Sequence, residues 1–269
     1  MKNNGISMRL IIMNFLQYAI WGAYLTSMGS YLAGIGMSAK IGIFYAMQGI
    51  VSIFMPAIVG IIADKYIPAQ KVLSICHGLA GLFMIAAGWY GMSAGENVAF
   101  GHLFGLYSLS VAFYMPTIAL SNSVAYSGLE RYGLDTVKDF PPIRVFGTVG
   151  FICSMLFVNF MTIDGVQFQH SYNQFFTSGI IGLALCAFAL TLPPCPVSKT
   201  NEGTSFVDVF GLRAFSLFKK KDMAIFFIFS MLLGVSLQIT NGFANPFITS
   251  FASIPEYADS WGAQNANAL

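Results

Sequence analysis

Seven apolar stretches follow one another through the 269 residues, each about as long as a bilayer is thick and separated by polar breaks. A helix needs about 20 residues to cross a hydrocarbon core of about 30 Å, and inside lipid its backbone polar groups must be satisfied within the segment. That ruler predicts helical spans near residues 8–32, 41–63, 71–92, 99–127, 142–162, 173–193 and 223–250. Pro56, Pro116 and Pro246 fall inside three of them, where a missing N–H interrupts the helical ladder and predicts kinks. The fold class that follows is an all-α polytopic membrane protein.

Composition enforces the same reading. Hydrophobic residues make up 56% of the chain and charged residues 9%, with mean hydropathy +0.69. Soluble domains carry about 25% charged residues, so a soluble globular fold is excluded. The 26 Phe and 27 Gly suit helices that face lipid and pack closely. Cys76, Cys153, Cys186 and Cys195 lie singly, with no CxxC or His pairing, so neither a metal site nor a cofactor is expected. A net charge of +2 gives no basis for a nucleic-acid partner. The spans hold almost no Asp or Glu and the three histidines are scattered, which argues against a membrane-embedded enzyme; His77 and His102 read as helix-packing and interface residues. The first apolar stretch exceeds the roughly 7–15 residues of a signal-peptide core and leads straight into further spans.

Lysine and arginine placement sets the expected orientation. With the N-terminus cytoplasmic, Lys2, Arg9, Lys65, Lys71, Arg131, Lys138, Lys199, Arg213, Lys219, Lys220 and Lys221 all fall inside, eleven of the 13 basic residues. Arg144 sits at the cytoplasmic end of the fifth span and only Lys40 lies outside. The longest loop, 194–222, joins the sixth span to the seventh. Val207, Phe210, Ala214 and Leu217 in it are spaced for one apolar face of a helix lying along the inner surface. Spans, a long cytoplasmic connector and further spans are the layout of a two-bundle carrier. The expected domains are a six-helix bundle over 1–193, a linker over 194–222, and the start of a second bundle over 223–269. One helix cannot bury the interior face of a second bundle, so the chain reads as part of a longer protein.

Four constellations carry the chemistry. Gly60, Asp64 and Lys65, between the second and third spans, combine a small residue for close helix approach with a carboxylate and a cation at a helix end. They read either as a conformational gate or as an ordinary polar turn. In the fifth span Asp139 is placed to cap a helix whose first turn holds Pro141 and Pro142. Arg144, Thr148 and Phe151 then share one face at i, i+4 and i+7. A guanidinium, a hydroxyl and an aromatic ring suit a polar ligand with a flat ring; alternatively the arginine extends to the headgroups. An ionisable group in a span costs about 2.5–3.5 kcal/mol, which points to function. In the seventh span Gln238 and Asn241 lie at i and i+3, two amides on an apolar helix, suited to nucleobase edges and ribose hydroxyls or to interhelical bonding. Gln17, Trp21 and Tyr24 in the first span, and Tyr114, Thr117 and Ser121 in the fourth, form stripes that either line a cavity or pack helices.

The segment from Asp139 to Phe151, and the run from Lys221 to Gly234 continuing into Gln238-Ile239-Thr240-Asn241, resemble the bacterial nucleoside:proton symporters of the major facilitator superfamily. Leu16-Gln17, Trp21-Gly22, Phe54-Met55-Pro56-Ala57 and Ala63-Asp64-Lys65 match in the same order, although the basic tail usual after the last of these is replaced by Tyr66-Ile67-Pro68-Ala69-Gln70. The resemblance implies a twelve-helix, monomeric inner-membrane carrier that takes up nucleosides such as uridine and cytidine with protons. It assigns substrate contacts to Arg144, Thr148, Phe151, Gln238 and Asn241, and a gating loop to Gly60, Asp64 and Lys65. It also places further contacts and the acidic proton-coupling residues in later helices, absent here. A carrier for sugars or another polar solute is the alternative that the same amides and aromatics allow.

Overall fold

A computed structural model describes residues 2–95, 97–197 and 217–269, with side chains described from Gly5 onward. The long helices are α1 (Lys2–Gly22), α3 (Ile41–Lys65), α4 (Ala69–Ala94), α5 (Phe100–Arg131), α6 (Thr136–Phe160), α7 (Asn173–Ala189) and α8 (Lys221–Ser250). Short helices α2 (Met28–Gly34) and α9 (Trp261–Gln264) are the other α-helices among the described residues. Among the described residues, five segments are long and apolar enough to cross a membrane: Ser38–Lys65, Ala69–Ala94, Phe100–Arg131, Thr136–Phe160 and Lys221–Ser253. Helix α7 is apolar but has only 17 residues.

Two expectations need correction, and a third falls outside the described residues. The apolar stretch 8–32 is not one helix: α1 ends at Gly22, residues 23–27 turn, and α2 resumes at Met28. The uniform hydropathy of Ala23-Tyr24-Leu25 hides that break from a sequence reading. Helix α6 starts at Thr136, not near Pro142, because Asp135 caps it, accepting from the backbone N–H of Val137 at 2.8 Å and Lys138 at 3.3 Å. Asp139 instead lies in the first turn and accepts from the Asp135 N–H at 2.8 Å, completing a reciprocal cap. Pro141 and Pro142 therefore sit inside the helix, and Arg144 is about two turns from its start. The expected interfacial helix through Val207, Phe210 and Ala214 lies outside the described residues.

The first seven helices pack into one core, most extensively α4 on α7 and α5, α1 on α6, and α3 on α5. Glycine makes the closest of these contacts possible. A Cβ at Gly81 would stand 2.8 Å from the Gly179 carbonyl of α7, and one at Gly150 would collide with the Phe15 carbonyl of α1. Without a hydrophobic drive between helices in lipid, such close packing supplies much of their association. A two-residue hairpin, β1 (Thr162–Ile163) and β2 (Val166–Gln167), follows α6. Its turn is Asp164-Gly165, both at positive φ, the sequence signal for that turn type. Helix α8 packs on α2, α3 and the C-terminal segment that follows it, while its Lys221 half stays largely exposed.

Candidate substrate site

Arg144 leans from α6 onto α1. Its guanidinium carbon lies 3.8 Å from the centroid of the Tyr18 ring, and among the described residues it forms no salt bridge. Arg144 and Phe151 are half-buried and Thr148 is exposed, so the three occupy the margin of the α1–α6 contact. Phe151 meets Trp21 edge to face, with centroids 6.5 Å apart. Trp21 in turn approaches Tyr114 at 6.2 Å and Tyr18 at 6.5 Å.

Behind this aromatic wall lies a buried polar seam. Trp21 donates its indole N–H to Gln48 Oε1 on α3 at 3.2 Å, and Gln48 Nε2 donates to the Tyr107 hydroxyl on α5 at 2.9 Å. Gln17 is fully buried. Its Nε2 donates to Thr117 Oγ1 at 2.8 Å, its Oε1 lies 2.7 Å from His77 Nε2, and its carbonyl accepts from the Tyr114 hydroxyl at 2.7 Å. Tyr24 is also fully buried, edge-on to Tyr107 at 6.0 Å. Gln17 and Tyr24 thus face neighbouring helices inside the bundle, whereas Trp21 is partly open. Sequence reasoning missed Tyr18 and Gln48 and read His77 as packing alone. A glutamine within an apolar span was the available signal for Gln48; nothing local marks Tyr18.

Gln238 and Asn241 lie half-buried on α8. Gln238 Nε2 reaches the Tyr45 carbonyl of α3 at a long 3.5 Å. Gly60 has open space around its Cα, and with Asp64 it lines a cavity of about 190 Å³ between α3 and α5, alongside Pro56 and Pro116. The close approach expected at Gly60 is therefore absent.

A second polar cluster joins α8 to the first helices at the end opposite the N-terminus. Asn245 bonds to Ser30 of α2, and its Nδ2 donates to Gln169 Oε1 at 3.1 Å and Asn267 Oδ1 at 3.3 Å. Asn267 Nδ2 donates to the Met155 carbonyl at 3.0 Å, and Asn159 Nδ2 to Asn265 Oδ1 at 2.9 Å. At the N-terminal end, Arg9 donates to the Thr191 carbonyl at 2.9 Å and Arg131 to the Pro194 carbonyl at 2.8 Å.

Long apolar helices, close glycine contacts and buried polar seams between helices define a polytopic α-helical membrane protein of the carrier class. A family model described as nucleoside H+ symporter matches residues 4–262, and the chain belongs to that family. It is 45% identical over 260 residues to the xanthosine permease of Escherichia coli (strain K12), covering 95% of this chain and 59% of that protein. It is 42% identical over 268 residues to the nucleoside permease NupG of the same organism, covering 98% of this chain and 61% of that protein. A crystal structure of a variant of the nucleoside transporter NupG superposes with TM-score 0.85 at 40% identity, covering 98% of this chain and 63% of that one. The chain thus spans about 60% of the length of these relatives. They are transporters, not enzymes.

Proposed function

We propose that this chain contributes the first helical bundle and the leading helix of the second to a proton-coupled nucleoside carrier of the inner membrane. The domain limits would be 1–193, 194–222 and 223–269. Family membership supports the reading, and one observation supports its placement: a guanidinium and an aromatic ring, Arg144 and Phe151, stand at half-buried positions on one helix against the Tyr18–Trp21 wall. In the proposed mechanism Arg144 and Thr148 hydrogen-bond the nucleoside, Phe151 packs on its base, and Gln238 and Asn241 meet it from α8. The two bundles then rock around that site. The contact of α8 with α2 through Ser30 and Asn245 supports reading this arrangement as a carrier shut at the end opposite the N-terminus. Lys65, Lys71, Arg131, Lys138 and Lys221 lie toward the N-terminal end, which supports a cytoplasmic N-terminus. Asp64, Lys65 and Gly60 form the gating loop at that same end. A monomer bound to lipid, a nucleoside and protons is the working unit.

Uptake of labelled uridine and xanthosine by cells expressing the protein from its native gene, with and without a protonophore, tests the reading. Uptake that collapses with the proton gradient supports it. Absence of uptake of both nucleosides, with protein present in the membrane, contradicts it. An Arg144→Ala protein that transports with unchanged KM contradicts the site assignment alone.

A further inference from the structure

We infer that Tyr18 is a positioning residue: its ring holds the Arg144 guanidinium by its face and so leaves most of the arginine's in-plane donors free for substrate. This rests on the proposed role of Arg144 as a substrate ligand. The geometry comes from both helices. The guanidinium carbon stands 3.8 Å from the Tyr18 ring centroid, stacking distance for a cation over an aromatic face. On α6, one turn past Arg144, Gly147 provides the room. A Cβ there would stand 2.6 Å from Tyr18 Cδ2 and 2.9 Å from Arg144 Nη1, so the ring and the guanidinium both fill the space a side chain would take. Tyr18 itself is buried, and its ring lies 6.5 Å from Trp21, the residue against which Phe151 rests. One wall on α1 therefore contacts two of the three α6 side chains assigned to the ligand, Arg144 and Phe151.

The chemistry explains why an aromatic face suits this place better than a carboxylate. A guanidinium has five N–H donors in one plane and no acceptor. A bidentate carboxylate would occupy two of those donors and neutralise the charge, and a neutral polar ligand would then compete with an ion pair for the rest. Among the described residues Arg144 forms no salt bridge. A ring beneath the plane offsets the cost of holding the cation in an apolar setting, and apart from the approach of the Tyr18 hydroxyl to the guanidinium it leaves the in-plane donors open. It also fixes the rotamer, so less side-chain freedom is lost when the ligand binds.

The test is equilibrium binding of labelled uridine and xanthosine to the purified protein, expressed from its native gene and held in lipid nanodiscs. Tyr18→Leu, Tyr18→Phe and Gly147→Ala are each made in the wild type and in an Arg144→Gln background. Tyr18→Phe keeps the ring face and is expected to keep Kd within about two-fold, whereas Tyr18→Leu and Gly147→Ala weaken binding about three- to thirty-fold. In the Arg144→Gln background the same changes are expected to add nothing, since the cation is gone. The number of binding sites per protein should stay constant; a purely structural role would reduce sites rather than affinity. An unchanged Kd for Tyr18→Leu, or equal losses in the two backgrounds, overturns the proposal while leaving Arg144 as a ligand. If Arg144→Gln alone leaves Kd unchanged, or neither nucleoside binds, the site reading fails and the positioning role falls with it.

Discussion

Trp21 stands between two roles. Its ring meets Phe151 at an interplanar angle of 87°, and its N–H is tied to Gln48 Oε1 at 3.2 Å. Gln48 is buried and itself bonded to Tyr107, so three helices fix the indole that Phe151 leans on. The exposed-to-buried gradient from Thr148 through Phe151 to Gln48 is the path along which a ligand at α6 would feel the bundle core.

Replacing Gln48 by Leu should therefore act twice. It leaves the Trp21 N–H without its acceptor and the Tyr107 hydroxyl without its donor, at a cost of about 1–3 kcal/mol. Thermal denaturation of the purified protein should show the loss. Apparent nucleoside affinity should also fall about two- to ten-fold as the Trp21–Phe151 pair loosens. Unchanged stability would mean that water replaces the bonds.

Gln17 and Gln238 should separate structure from site. The Gln17 side chain joins Thr117 and His77 in the core, so Gln17→Met strands both buried partners and should lower stability by roughly 2 kcal/mol, while the Tyr114 bond to the Gln17 backbone carbonyl survives. Gln238 has one bond of 3.5 Å, so Gln238→Met should leave stability nearly unchanged while impairing nucleoside uptake. Thermal shift and uptake measured on the same pair of variants check this; a reversed pattern would argue against α8 as part of the site.

Ser30 and Asn245 touch across the α2–α8 contact. In a background with the four native cysteines replaced, Ser30→Cys with Asn245→Cys should be bridged by a short bifunctional thiol reagent. Bridging should stop uptake if the outer end must open, and a cleavable reagent should restore it on reduction. Full uptake by the bridged protein would show that this end does not open during transport.

His170, in the segment between the hairpin and α7, has its pKa pushed below the ordinary 6.5 by burial. The folded form therefore resists a proton that the unfolded chain accepts. The sign follows: stability contributed by neutral His170 is present above about pH 6.5 and declines as pH falls below it toward the lowered folded value. Thermal denaturation between pH 5 and 8, about the range in which an ordinary histidine titrates, should show a shallower acid loss for His170→Gln than for the wild type.

Parts of this architecture were legible and parts were not, for identifiable reasons. The predicted span at 41–63 became Ile41–Lys65 and that at 71–92 became Ala69–Ala94, because lipid imposes one length on every crossing helix. The start of α6 was misplaced because two aspartates, Asp135 and Asp139, both resemble caps; the chain uses both, one from each side of the first turn. The break after Gly22 was invisible because hydropathy measures solvent preference, not backbone direction.

Residue spacing along α6 put Arg144, Thr148 and Phe151 on one face, since helical geometry is local and follows from the period alone. Apolar run lengths and basic-residue bias likewise determined the membrane class and the expected orientation. Only the tertiary structure decided what those residues meet. That Tyr18 lies under Arg144, that Gln48 holds Trp21, and that Asn245 reaches Ser30 depend on how helices remote in sequence approach one another. The first of these approaches has close contacts at Gly147 and Gly150 and the last has Gly29 against the Gly242 carbonyl, partners that no periodicity along a single helix can name.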